Sequence, residues 1–367
     1  MAADADIPQI DCAEGLPHPA LNQTLVGHPE AEEEFLSSFN GGRFHHAWLL
    51  TGPKGIGKAS FAYRAAKFLI SQSTGSGGGL FGPPDSLETD PENPAIKQVQ
   101  SGASPNLKIL RRQYDPKGKK FFSVIRVDEV RGLASFFGMK ASEDGWRIVI
   151  VDTVDDMNSN AANALLKVLE EPPEKTIFFL ISHAPAGLLP TIRSRCRKLQ
   201  LSPLGDEDIR TALNLILPND DRLTDPTLYA LAEGSPGRAA LMLQNGGLEI
   251  FGTMLEIFKS YPTYDGQLLH DLADICGRKG SEVSYDILCE LYPWWISRLV
   301  RSVSMGDSAS YLPGEEALFH HLVSIRPVDY WIKVWDAANK RISDSDRINL
   351  DRKQVALDLF LTATLNK

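Results

Sequence analysis

Two patterns of apolar residues divide this chain. Up to about Leu201, short apolar runs alternate with amphipathic segments, and beyond it almost every stretch carries a helical period. His46-Ala47-Trp48-Leu49-Leu50-Thr51 predicts a short buried strand that runs into a glycine-rich turn. Ala59 to Ile70 follows as a helix, with Phe61, Ala65, Phe68 and Leu69 near helical spacing. Pro29 to Asn40 is amphipathic, Leu107 to Leu110 has strand character, and Val127 to Phe137 reads as a helix. Between them, Arg111 to Ile125 predicts a hairpin turning at Asp115-Pro116-Lys117-Gly118. The clearest stretch is Arg147-Ile148-Val149-Ile150-Val151-Asp152, a continuous apolar strand closed by an acid. A helix from Asn158 to Glu171 stops at Pro172-Pro173, and Thr176 to Ser182 is again an apolar strand. Strand, helix, strand, with apolar strands throughout, predicts a parallel sheet covered by helices on both faces.

Residues 71–105 are dense in Gly, Ser and Pro, lack a period, and read as an insertion or long surface loop. After Leu201 the helical pattern is broken at Pro203, Pro218, Pro226, Pro236 and Gly246-Gly247. The expected division is therefore 1–202, an α/β domain carrying the 71–105 insertion, then 203–246 and 247–367, both helical. A length of 367 residues suits two or three domains.

Composition narrows the function. A net charge of −9 excludes a general polyanion binder, so nucleic-acid contact has to come from a local patch. No apolar run is long enough to span a membrane, and the first residues are acidic without an apolar core, so the expectation is a cytoplasmic protein without membrane contact. Cys12, Cys196, Cys276 and Cys289 form no CxxC pair and flank no His cluster, so no zinc or other metal site is expected.

Gly52-Pro53-Lys54-Gly55-Ile56-Gly57-Lys58 fits GxxxxGK between a strand and a helix. Such a loop turns backbone N–H groups and a helix start toward phosphate oxygens, and Lys58 neutralises the terminal phosphates. The next residue is Ala59, where this motif uses a hydroxyl to hold magnesium; Ser60 projects about 100° further around the helix and substitutes poorly. Asp152 is placed like the acid of a Walker B strand, but Thr153 follows where a hydrolase carries the Glu that orients water. Asp155 and Asp156 come too late to replace it and read as a solvated turn. Ser182-His183 ends the next strand in the place of a γ-phosphate sensor; an ordinary strand end is the alternative. Arg193-Ser194-Arg195-Cys196 follows a short helix from about Pro185, and from spacing alone reads as a solvated basic turn. In Glu233-Gly234-Ser235-Pro236-Gly237-Arg238 the final arginine lies just inside a helix start.

Taken together, GPKGIGK, VIVDTVDDMNSNAANALLKVLEEPP, FFLISHAPAGLLPTIRSRCRKLQL and AEGSPGRA resemble, in that order, the AAA+ clamp-loader subunits of bacterial DNA polymerase III. The insertion and the missing hydrolytic residues resemble the delta-prime branch of that family rather than gamma/tau. The resemblance implies a RecA-like AAA+ domain, a helical lid and an all-α C-terminal collar. It implies gamma/tau and delta as partners, with the sliding clamp and primed DNA reached through the complex. Arg195 would be an arginine finger given in trans. Gly52, Gly55, Gly57, Lys58, Asp152, Ser182 and Arg238 would form a weak or vestigial ATP or ADP site, Arg238 in the sensor 2 position. An ATP-hydrolysing motor subunit of the gamma/tau kind is the competing reading. Many relatives carry four zinc-binding cysteines after the first helix; residues 71–105 contain neither Cys nor His. The basic run of Lys108, Arg111, Arg112, Lys117, Lys119, Lys120 and Arg126, with Asp115 the one acid inside it, reads as a solvated hairpin face, with a DNA- or partner-facing hairpin as the alternative.

Overall fold

The apolar runs assemble as one parallel sheet. In this computed structural model the described residues are 16–42, 44–73, 83–118, 120–138, 145–305, 312, 314–348 and 350–365. They fall into two compact units: residues 1–219 with 234–237, and residues 220–233 with 238–367.

In the first unit the strands are β1 (Ala47–Thr51), β2 (Leu107–Leu110), β3 (Tyr114–Asp115), β4 (Lys120–Phe121), β5 (Arg147–Asp152), β6 (Thr176–Ser182) and β7 (Arg197–Gln200). Five of them form a sheet in the order β2-β5-β6-β1-β7, every pairing parallel. β1 therefore lies inside the sheet between β6 and β7, and its C-terminal end opens onto the crevice where α/β folds bind ligands. β3 and β4 form a separate antiparallel hairpin.

Helices α1 (Pro29–Asn40), α2 (Lys58–Ser73), α3 (Pro94–Gln100), α4 (Val127–Gly138), α5 (Ser159–Glu170), α6 (Pro190–Arg193) and α7 (Asp206–Ile216) complete the unit. Successive strand residues face opposite sides, which sorts the two cores. Ala47 and Leu49, Val149 and Val151, and Phe178 and Leu180 share one core with Val130 and Leu133 of α4 and Leu165 and Leu169 of α5. On the other face, Phe35 of α1 packs 5.2 Å from the Trp48 ring and 5.8 Å from the rings of Phe61 in α2 and Phe179 in β6. Burying one such ring contributes about 2–3 kcal/mol. α5 begins where its sequence allows: Asn158 Oδ1 accepts the Ala161 N–H at 2.9 Å, capping the first turn.

The stretch expected as an unstructured insertion is partly helical. α2 runs on to Ser73, and α3 lies within it. Asn93 caps α3 through an Oδ1 that accepts the Ala95 N–H at 2.9 Å, and Pro94 takes the first helical position, where no N–H is needed. Ile96 and Val99 anchor it by burial. Residues 74–82 of this stretch, together with Cys12 and Lys119, lie outside the described residues.

The second unit is helical: α8 (Pro226–Ala232), the body of α9 (Pro236–Gln244), α10 (Gly247–Lys259), α11 (Gly266–Gly277), α12 (Glu282–Met305), α13 (Glu315–Ile325), α14 (Val328–Ile348) and α15 (Arg352–Leu365). Its core is aromatic, with Phe258 lying 4.7 Å from Trp295 and 5.5 Å from Phe360. Tyr292 donates its hydroxyl to the Leu359 carbonyl at 2.7 Å, tying α12 to α15. The buried Glu315 accepts two bonds from Arg298, at 2.7 and 3.2 Å, in the forked geometry that keeps a buried pair satisfied. No helix among the described residues is long and apolar enough to cross a membrane.

Candidate functional site

The loop Gly52–Lys58 leaves the end of β1 and enters α2. Gly52, Gly55 and Gly57 hold φ of 145°, 77° and 110°, a region that side chains resist. Each carbonyl from Gly52 to Ile56 is tied down. Lys58 Nζ donates to the Gly52 and Pro53 oxygens at 2.7 and 2.5 Å. Ser235 Oγ donates to the Lys54 oxygen at 2.8 Å, and the Gly237 N–H to the Gly55 oxygen at 2.9 Å. The Ile56 oxygen lies 2.8 Å from His28 Nε2. By contrast, the amides of Lys54, Gly55, Ile56 and Gly57 meet no acceptor among the described residues. A loop with fixed carbonyls and uncommitted N–H groups at a helix start suits an anion.

Lys58 is 3% exposed. Burial pushes its ammonium down to about 8, while the Asp152 and Asp155 carboxylates pull it back up. These acids therefore share the lysine's surroundings. The register sets Thr51 of β1 beside Ser182 of β6, and Asp152 of β5 beside Ile181. Ser182 thus ends its strand next to the loop.

The turn after Asp152 departs from the sequence reading. Asp155 is not a solvated turn residue: its carboxylate accepts the Ser182 hydroxyl at 2.8 Å and the His183 N–H at 2.6 Å. Asp156 pairs with Arg112 at 3.0 Å. The His183 imidazole is pushed down to about 4, by burial first and then by the Lys58 cation, against the pull of Asp155. It is neutral at pH 7 and adds no charge beside the loop. Thr153 is buried, and Ala59 offers no hydroxyl. Ser60 is otherwise engaged, its Oγ accepting from Asn22 Nδ2 at 2.9 Å.

One expected residue stands apart from this group. Arg195 lies just before β7. Since β1 and β7 are parallel, with Trp48 opposite Arg197 and Thr51 opposite Gln200, Arg195 is at the end of the sheet remote from Gly52–Lys58. Its guanidinium pairs with Glu170 at 2.7 Å and donates to the Thr191 carbonyl at 3.0 Å. Arg238 belongs to the second unit, where it pairs with Glu233 and, at 3.3 Å, with Glu290. Glu233 also accepts from Trp294 Nε1 at 2.7 Å. Burial pushes the Cys196 and Cys276 thiols up to about 12, away from reactivity. No cluster of His, Cys, Asp and Glu that could hold a metal occurs among the described residues.

The pattern of the sequence did not reveal His28, Asp155, Ser235 and Gly237. Three of them grip the loop from distant parts of the chain. A Cβ on Gly237 would come 2.8 Å from Gly55 Cα, so this glycine is required for the approach.

A five-stranded parallel sheet carries this loop at the end of its interior strand β1, with a serine ending the adjacent strand β6 and an acid ending β5 beyond it, the layout of a P-loop α/β module. The family model described as "DNA polymerase III, delta subunit" matches residues 27–205. The delta-prime subunit of DNA polymerase III from Pseudomonas aeruginosa is 38% identical over 207 residues, 56% of this chain and 58% of that protein. Its Escherichia coli counterpart is 30% identical over 225 residues, 61% of this chain and 62% of that protein. The Escherichia coli tau subunit is 29% identical over 222 residues, 60% of this chain and 32% of tau. Through this region the chain is similar to the clamp-loader subunits of DNA polymerase III, and its match spans less than two thirds of either delta-prime relative.

Proposed function

We propose that this chain is the delta-prime subunit of a bacterial DNA polymerase III clamp loader, working in the cytoplasm with gamma/tau and delta subunits to place a sliding clamp on primed DNA. The division into 1–202, 203–246 and 247–367, as AAA+ domain, lid and collar, is part of the same reading. ATP or ADP binds at Gly52–Lys58 without being hydrolysed by this chain. The residues present fit the phosphates: loop amides without an acceptor and the Lys58 ammonium. They do not fit magnesium held in the usual way, because Ala59 replaces the hydroxyl and Ser60 is bonded to Asn22.

The observation that carries the reading is this split between an intact phosphate cradle and missing hydrolytic groups, Ala59 and Thr153. Arg195 is the chemistry the chain contributes. Its place remote from its own loop supports an action on a neighbouring subunit, where a guanidinium stabilises charge developing on a transferred phosphoryl group. A gamma/tau-like motor is the competing reading, favoured by the 29% identity to tau. Steady-state phosphate release by the isolated chain with magnesium-ATP separates the two. The expected result is no turnover above a Lys58→Ala control. Turnover typical of an AAA+ motor, abolished by Lys58→Ala, establishes the competing reading.

A further inference from the structure

The loop and the elements packed on it set the chemical form of nucleotide that the site can take. Phosphate oxygens need donors, and the site has them. The amides of Lys54, Gly55, Ile56 and Gly57 meet no acceptor among the described residues. The buried Lys58 ammonium gives two of its three donors to the Gly52 and Pro53 carbonyls and keeps the third. A magnesium ion carried on the phosphates needs oxygens instead. It demands near-octahedral coordination and gives up its water reluctantly. Next to the lysine, Ala59 presents only a methyl group, half-buried.

The neighbouring oxygens are committed elsewhere. Ser60 Oγ accepts from Asn22 Nδ2 at 2.9 Å, and the segment bearing Asn22 is pinned along α2 at two further residues. Arg64 donates to the Gln23 carbonyl at 2.6 Å, and Lys67 to the Ala20 and Asn22 carbonyls at 3.1 and 2.7 Å. The Ser60 oxygen is thus held by a strap that three residues of α2 fasten. Asp155 spends its carboxylate on the Ser182 hydroxyl and the His183 amide. Asp152 shares the field of the Lys58 cation, and one carboxylate is a small part of an octahedral shell.

We infer that the site takes its nucleotide free of magnesium, so that the metal competes with binding instead of assisting it. The inference rests on the reading of Gly52–Lys58 as a nucleotide site and adds the ionic form of the ligand. Lys58, the loop amides and the start of α2 meet the phosphate charge by themselves. A magnesium ion on the same phosphates occupies oxygens that these donors would bond, and at position 59 it gains no hydroxyl in return. Where magnesium is abundant, ADP is favoured over ATP. Its shorter, less charged phosphate chain holds the ion less tightly, so more of it stays metal-free.

The test is calorimetric titration of the full chain with ADP at constant ionic strength, once with a chelator and once with magnesium chloride. When magnesium leaves only about a tenth of the ADP metal-free, the apparent affinity of the wild-type chain falls about tenfold. Ala59→Ser supplies the hydroxyl, and magnesium no longer weakens its binding of ADP. The new hydroxyl enters a half-buried position, and circular dichroism of the variant is unchanged. Wild-type affinity that is equal or higher in magnesium overturns the inference and leaves the nucleotide reading standing. The inference is also overturned if magnesium weakens Ala59→Ser as much as wild type. Absence of ADP binding with or without magnesium, with Lys58→Ala indistinguishable from wild type, overturns the nucleotide reading and the inference together.

Discussion

The Asp155 carboxylate and the Ser182 hydroxyl stand 2.8 Å apart, joining the turn after β5 to the end of β6. The same carboxylate holds the His183 amide at 2.6 Å, so one side chain fixes the end of β6 beside the loop. Asp155→Ala leaves the fully buried Ser182 hydroxyl without its acceptor. The expected loss is about 1–3 kcal/mol, read as a lower urea midpoint with unchanged m value. An unchanged midpoint would remove Asp155 from its positioning role.

Gly237 and Ser235 clamp the outer arc of the loop. A Cβ at Gly237 would also come 2.9 Å from the Gly55 carbonyl oxygen that its own N–H binds. Gly237→Ala is expected to displace the loop, costing more than about 1 kcal/mol of stability and weakening nucleotide binding by the full chain. Ser235→Ala deletes only the bond to the Lys54 carbonyl and costs about 1 kcal/mol. Calorimetric titration with ADP, alongside chemical unfolding, measures both effects.

The buried Lys67 gives a pH signature. Its ammonium donates to the Ala20 and Asn22 carbonyls at 3.1 and 2.7 Å, and burial followed by the Arg64 charge pushes it down to about 8. Between about 8 and the ordinary lysine value the unfolded chain holds a proton that the folded chain has released. Stability from this residue therefore rises with pH across that window. The difference in unfolding free energy between wild type and Lys67→Met is expected to grow in favour of wild type from pH 8 to about pH 10. A difference independent of pH would show that Lys67 titrates normally.

Arg195→Ala should leave the chain folded, because its pair with Glu170 is half exposed and such pairs contribute about 0–1 kcal/mol. In complexes rebuilt with gamma/tau and delta, hydrolysis at the site it borders should fall on the order of 10³-fold, and the total rate only in part. Arg195→Lys should recover little, since the ammonium lacks the planar fork. Wild-type hydrolysis by an assembled Arg195→Ala complex would return Arg195 to a surface role.

What could be read from the sequence follows the range of the interactions. Residues 147–152 and 176–182 were legible as strands because burial on both faces leaves an unbroken apolar run. The hairpin was legible in Asp115-Pro116-Lys117-Gly118, whose turn chemistry is local. α3 was hidden because only Ile96 and Val99 bury, too few to display a period inside a Gly- and Pro-rich stretch. The site divided in the same way. Gly52 to Lys58 announced itself, whereas Ser235 meets Lys54 across 181 positions and Asp155 meets Ser182 across 27, contacts that no spacing rule encodes.

The tethered carbonyls of Gly52 to Ile56 bear on conformational entropy. Fixing a residue's backbone costs about 1–2 kcal/mol, and here His28, Lys58, Ser235 and Gly237 impose that ordering when the chain folds. A phosphate arriving at the loop meets amides already arranged and needs little further ordering of the backbone. Neither Ala59 nor Thr153 is among the four tethers, so both can stand where they do without loosening the curvature of the loop.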